Sequence, residues 1–184
     1  MAKKAIVILA EGFEEIEAVT CIDVLRRANI EVTVAGLTDF KVKGSRGITV
    51  FADKTLFDAG SEFDACVLPG GMPGATNLAA SEKLKSLIKE IHQENKIVAA
   101  ICASPAVVLA PTGILNNKSA TCYPGMQEQF HRSTNYQEKN VVVDGNIITS
   151  RGPATALSFA LAIVENLAGK EIAEKVKLAT LASG

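Results

Sequence analysis

Tryptophan is absent from this chain, and the remaining aromatic residues make up only 5% of it, which leaves little with which to stack nucleobases or sugar rings. Charge excess is missing too: 19 Lys and Arg stand against 20 Asp and Glu, for a net charge of -1. Such a chain projects no positive field toward nucleic acid or acidic lipid, so neither is expected as a partner. Asp, Glu, Lys or Gly cuts every apolar run well before the ~18 residues that a membrane span requires. The first run, Ala5 to Ala10, ends at Glu11, short of a signal-peptide core, and a cytoplasmic location is expected from this. Cys21, Cys66, Cys102 and Cys122 form no C-x-x-C pair, and His92 and His131 are the only histidines. The spacing of a zinc site is therefore lacking, no metal is expected, and the cysteines are expected as free thiols in a reducing compartment. G-x-S-x-G, G-x-G-x-x-G and a glycine loop followed by Lys-Ser or Lys-Thr do not occur, which argues against serine hydrolase and phosphate-cradle chemistry.

What the chain has is a hydrophobic fraction of 48% in 184 residues, ample for a core, and a length that predicts one domain spanning residues 1–184. Short β-branched runs alternate with longer helical patterns, as in a parallel sheet covered on both faces. Ala5 to Leu9, Val32 to Ala35, Asp64 to Leu68 and Ile97 to Ile101 read as strands. Lys41 to Thr55 reads as a β-hairpin excursion around Gly44 and Gly47, and Val141 to Ile148 as a second hairpin around Asp144-Gly145. Helices are predicted over Glu14 to Arg27, with Ile16, Val19, Ile22 and Leu25 as the apolar face, from Ser81-Glu82 onward with Leu84, Leu87, Ile88 and Ile91 inward, around Ala106 to Leu109, over Ala154 to Leu167 and over Glu171 to Leu178. A short strand is expected near Ala120-Thr121, and Gln127 to Asn140 reads as a polar surface excursion.

In a doubly wound sheet, ligands sit where strand carboxyl ends feed helix N-termini. Four such junctions stand out: Glu11 to Glu17, Pro69 to Gly74, Cys102 to Pro105 and Ser150 to Pro153. Cys102 follows Ala99-Ala100-Ile101 and precedes small residues and Pro, the composition of a sharp turn that presents one side chain to a cleft. A helix N-terminus there would favour the thiolate; a buried cysteine packing like alanine fits the same spacing. Gly70 and Gly71 let backbone N–H groups approach a reacting atom, or serve merely as a turn. Glu17 borders the apolar face of its helix, where burial would keep a carboxyl protonated beside a thiolate; an exposed acid is the alternative, and Asp23 also falls among apolar neighbours. Glu14 and Glu15 read as solvated acids favouring the helix N-terminus. Neither histidine follows a strand, and both read as surface residues.

Together, in this order and over nearly the whole chain, Ala5 to Glu17, Val67 to Gly71, Ala99 to Ala103 and Thr149 to Pro153 resemble the ThiJ/PfpI superfamily, in particular its DJ-one (Parkinson-associated) branch with bacterial YajL-type relatives. The resemblance implies a flavodoxin-like α/β fold, a doubly wound, mostly parallel sheet sandwiched between helices, in a homodimer. It implies Cys102 as an oxidation-prone nucleophile, Glu17 as the acid beside it, and Gly71 and Ala103 as donors of backbone N–H groups. Gly70, Tyr123, Arg46 and Arg27 would lie around the substrate, Arg27 by way of the dimer partner, and Pro153 would start the helix after the fourth junction. Tyr123 stands before Pro124 where relatives with a pocket histidine carry that histidine, and Ala103 stands where peptidase-type members carry one, so peptidase activity is not implied. Cys122 is read as a core residue. The implied activity is glyoxalase-type or deglycase-type conversion of α-oxoaldehydes, free or on protein, as in methylglyoxal to lactate, with no cofactor. The alternative is an oxidative-stress sensor or redox-regulated chaperone acting through oxidation of Cys102.

Overall fold

A computed structural model describes residues 2–182; Met1, Ser183 and Gly184, which the 1–184 domain expectation includes, lie outside the described residues. The strands are β1 (Lys4–Leu9), β2 (Glu31–Gly36), β3 (Lys41–Lys43), β4 (Thr49–Phe51), β5 (Lys54–Thr55), β6 (Ala65–Leu68), β7 (Ile97–Ile101), β8 (Ser119–Ala120), β9 (Asn135–Tyr136), β10 (Val141–Asp144) and β11 (Ile147–Ser150). The helices are α1 (Glu15–Arg27), α2 (Gly74–Ala79), α3 (Glu82–Gln93), α4 (Ala156–Ala168) and α5 (Lys170–Ala179). The main sheet runs β10-β11-β7-β6-β1-β2-β5, parallel throughout except for the antiparallel pair β10–β11.

The flavodoxin-like sandwich follows from strand composition. Ala5 to Leu9, all of β6 and all of β7 are buried, as strands covered on both faces must be. From β1 the chain crosses to β2 on one side, whereas from β6 it crosses to β7 in the opposite direction. Right-handed crossovers of opposite travel set α1 and α3 on opposite faces. α1 packs against α4, and α4 against α5. The strand order therefore switches between β1 and β6, and their carboxyl ends open a crevice there.

Local signals behave as their chemistry dictates at several boundaries. The Ser81 hydroxyl caps α3 by accepting Leu84 N–H at 3.2 Å, and Leu84, Leu87, Ile88 and Ile91 face inward. β10 and β11 pair across the predicted turn, with Val142 opposite Thr149. β3 and β4 form the expected hairpin, although Lys54-Thr55 then returns to the main sheet as a parallel edge strand on β2.

The structure corrects one expectation, refines a second and adds a helix. Of the apolar face expected for α1, Leu25 is buried and Ile22 packs against the core, but Ile16 and Val19 are exposed; Glu15, Glu17, Ala18, Cys21 and Val24 complete the buried face. The helix expected around Ala106 to Leu109 is present as the π-helical turn Pro105–Leu109, closed by Ala110 N–H donating to Pro105 C=O. α2 was not anticipated, because only Ala75 and Leu78 mark its short buried side. Among the described residues, no helix is long and apolar enough to cross a membrane.

Candidate active site

Cys102 is the first residue after β7 and adopts φ 65, a left-handed conformation that costs a non-glycine residue about 1–3 kcal/mol. Its surroundings hold it there. Its N–H donates to Ser150 C=O at 2.9 Å and its C=O accepts Tyr123 N–H at 2.8 Å, and the buried Ser104 hydroxyl donates to Pro69 C=O at 2.6 Å. The turn is thereby tied to three other segments, and Cys102 retains 8% exposure at the cleft floor.

Gly70 separates Cys102 from Glu17. Its N–H donates to Glu17 Oε2 at 2.7 Å. A Cβ placed on it would lie 2.6 Å from Cys102 Cβ and 3.0 Å from Glu17 Oε2, so only glycine lets thiol and carboxyl approach. Gly71, at φ 88, would drive any Cβ into the backbone of Gly12 to Glu14. That contact belongs to a seam in which Glu14 N–H donates to Gly70 C=O at 2.9 Å.

Glu17 is fully buried, and its Oε1 has no hydrogen-bond partner. Burial pushes its pKa up to about 7, against the Gly70 and Cys102 hydrogen bonds, with the Glu14 charge adding to the rise. The Cys102 thiol is pushed up to about 12 by burial and by the Glu17 carboxylate, while the N–H groups of Gly71 and Ala103 pull it down. The N–H groups expected to favour the thiolate do pull its pKa down, but burial and a charged Glu17 outweigh them. The two groups titrate as a unit, which between those values carries one negative charge and retains one proton.

Above Cys102 lies a cleft of about 630 Å³, lined by the polar side chains of Glu14, Ser45 and Arg46 and by the apolar or aromatic ones of Met72, Tyr123, Pro124, Met126 and Pro153. Arg46 is at the cleft because Glu15 holds its loop: the Glu15 carboxylate accepts Arg46 N–H at 2.6 Å, Ile48 N–H at 3.3 Å and the Ser45 hydroxyl at 3.2 Å. Burial favours protonation of Glu15, but these donors outweigh it and leave its pKa lowered. Glu15 is thus a buried structural anion rather than the solvated acid expected, whereas the half-buried Glu14 serves the helix N-terminus as expected, capping α1 by accepting Glu17 N–H at 2.8 Å. Glu15 was missed because its azimuth faces the hairpin, and no local spacing announces a partner 31 residues away.

The structure thus brings together Cys102, Glu17, Gly70, Gly71, Ala103, Arg46 and Tyr123. Arg27 lies at the other end of α1, paired with Asp23 at 2.6 Å, and does not line its own chain's cleft. His131 is exposed, His92 is partly buried late in α3, and neither lines the cleft. The Ser150 hydroxyl is taken by Asn140 C=O and Thr155, and Cys122 is fully buried. Pro153 opens the 3₁₀ turn Pro153–Thr155 ahead of α4. Among the described residues, no group of three or more His, Cys, Asp or Glu could hold a metal ion.

The profile of the DJ-1/PfpI family matches residues 3–166. Protein dj-1beta of Drosophila melanogaster is 47% identical over 179 residues, covering 96% of this chain and 95% of that protein. The crystal structure of Drosophila melanogaster DJ-1beta superposes with a TM-score of 0.95 at 45% identity, over 100% of both chains. The glutathione-independent glyoxalase DJR-1.2 of Caenorhabditis elegans is 37% identical over 171 residues, covering 92% of this chain and 91% of its own. Oxidized Toxoplasma gondii DJ-1 superposes with a TM-score of 0.94 at 43% identity, over 98% of each chain.

Proposed function

The chain belongs to the DJ-1/PfpI family, and from that premise we propose that it is a glyoxalase-type enzyme that converts α-oxoaldehydes such as methylglyoxal to α-hydroxy acids. The observation that carries this reading is the Glu17–Gly70–Cys102 arrangement at the floor of an open cleft. The glyoxalase relative supports the substrate class. With the pair's one remaining proton on Glu17, the Cys102 thiolate attacks the aldehyde carbon and forms a C–S bond. The N–H groups of Gly71 and Ala103 steady the oxygen as it gains charge, and Glu17 hands it the proton. Glu17 then moves the former aldehyde proton to the neighbouring carbon, while the hydroxyl proton on the former aldehyde oxygen passes to the former ketone oxygen, which leaves an α-hydroxy thioester. Water cleaves the C–S bond, releasing the hydroxy acid and restoring thiolate and acid. The sum is aldehyde plus water to hydroxy acid, with no external oxidant. The same attack on an aldehyde adduct of a protein amine or thiol would give deglycase-type activity.

Lactate formation from methylglyoxal tests the reading. Cys102→Ser should abolish it, and Glu17→Gln should lower it by about 10²–10⁴-fold, the usual worth of positioned acid–base assistance. A Cys102→Ser protein that makes lactate at the wild-type rate overturns it.

A second reading is supported by the structural relative described as oxidized. Cys102 oxidised to a sulfinic acid would present an anion to a protonated Glu17, and the protein would act as an oxidative-stress sensor. Mass spectrometry after mild peroxide should then find two added oxygens at Cys102 and none at the buried Cys21 and Cys66.

The partner in both readings is a second copy. Ile16 and Val19 on α1 and Ile48 and Phe51 of the hairpin are exposed apolar side chains, and Glu15 joins the two elements into one surface. α1 spans about 20 Å. Paired antiparallel across a two-fold axis, two such helices would bring Arg27 of each copy toward the Glu15 end, and so the cleft, of the other.

A further inference from the structure

Resting on the reading of Cys102 as an aldehyde-attacking thiolate, we propose that the cleft selects α-oxoaldehydes bearing an aromatic or comparably large apolar substituent, with Tyr123 as the specificity-determining residue. A cleft of about 630 Å³ is of the size that takes ligands far larger than a three-carbon aldehyde. Its lining offers a substrate two kinds of surface: Ser45, Arg46 and Glu14 would desolvate badly against hydrocarbon, whereas Met72, Tyr123, Pro124, Met126 and Pro153 would not.

Tyr123 is placed to set the apolar surface nearest the nucleophile. Its N–H is bonded to the carbonyl of the nucleophile itself, at 2.8 Å, so the root of its side chain is held relative to the sulfur. Its ring lies over Gly152, where even a Cβ would come within 3.5 Å of a ring carbon. It is nevertheless 48% exposed, so a substrate ring laid on it would remove apolar surface from water. A tyrosine ring, with two side-chain torsions, gives up little freedom in doing so. The reaction is otherwise unchanged. An arylglyoxal adds water overall, its aldehyde carbon is oxidised to carboxyl as its ketone carbon is reduced to carbinol, and the C–S bond formed at attack breaks at release.

The test compares initial kcat/KM for phenylglyoxal, giving mandelate, and methylglyoxal, giving lactate, in wild type, Tyr123→Ala and Tyr123→Phe. Wild type should favour phenylglyoxal by at least about tenfold. Tyr123→Phe should keep that ratio and Tyr123→Ala should bring it toward one, whatever happens to each rate separately. Should Tyr123→Ala be too slow to assay, the concentration of mandelate that protects Cys102 from iodoacetamide, relative to lactate, reads the same preference. A wild-type ratio at or below one, or a ratio that survives Tyr123→Ala, overturns the inference while leaving the glyoxalase reading in place. Turnover of neither aldehyde overturns that reading, and the inference with it.

Discussion

The carboxylate of Glu15 accepts the backbone N–H of Arg46 at 2.6 Å, binding the first turn of α1 to the loop that brings the one arginine to the cleft. Glu15→Gln should cost about 1–3 kcal/mol, the usual penalty when a buried hydrogen-bonded group is mismatched, and should raise KM more than it lowers kcat. The pH dependence has a definite sign. Against the effect of burial, the donors around Glu15 lower its pKa below the ordinary 4.5. Its contribution is therefore fully present above that value and is lost as pH falls through the lower folded value. Urea midpoints of wild type and variant should converge between pH 6 and pH 3; a gap that stays constant would show that Glu15 is not the ionised anchor.

Gly70→Ala should be severe. The added methyl would meet both Cys102 Cβ and Glu17 Oε2, and overpacking of this kind costs about 1–3 kcal/mol. Thiol and acid would be forced apart, and displacement of a reacting group by an ångström costs about 10²-fold in rate. Turnover and thermal unfolding measured on the same preparation check both effects.

Glu17 should be a stability liability. Burial raises its pKa to about 7, so, unlike most carboxyls, it stabilises the fold fully below the ordinary 4.5 and that contribution is lost as pH rises through about 7. Glu17→Gln should therefore be more stable than wild type at pH 8, by up to about 3 kcal/mol, although nearly inactive. Denaturant unfolding at pH 4 and pH 8 tests this; a variant less stable than wild type at pH 8 argues against a buried, strained carboxyl.

Cys102 alkylation should follow a joint titration. In wild type, reactivity should rise as the first proton leaves the pair near 7 and reach its plateau only as the second leaves toward 12. In Glu17→Gln the thiol has no charged neighbour and should titrate in one step below about 12. With His92 and His131 both outside the cleft, no separate imidazole step should appear in either profile. Iodoacetamide rates against pH decide, and two steps in the variant would disprove the coupling.

Assembly is tested on the exposed stripe of α1. Ile16→Asp with Val19→Asp should leave the fold intact, since both side chains face away from the core, yet shift sedimentation equilibrium from dimer to monomer. A wild-type chain already monomeric at micromolar concentration would remove the second copy from the proposal.

The sequence alone determined the local grammar of this protein. Continuous apolar runs could only be strands buried on both faces, Ser81 could be read as a cap, and Cys102 between Ile101 and Ala103-Ser104-Pro105 announced a turn after a central strand. These features depend on neighbours within a few positions, where composition and periodicity carry the information. Only the tertiary structure decided how α1 was rotated, because the expected face Ile16-Val19-Ile22-Leu25 and the neighbouring Ala18-Cys21-Leu25 are both at helical spacing, and the choice that left Ile16 and Val19 exposed rests on what fits against α4 and the sheet. That choice buried Glu15 and Glu17, gave one carboxyl three donors and the other a single firm amide partner, and so fixed which would be an anchor and which could hold a proton. A pKa is set by the dielectric and the dipoles around an atom, and those arrive from Gly70, Ser45 and Cys102, residues that no window along the chain places beside α1.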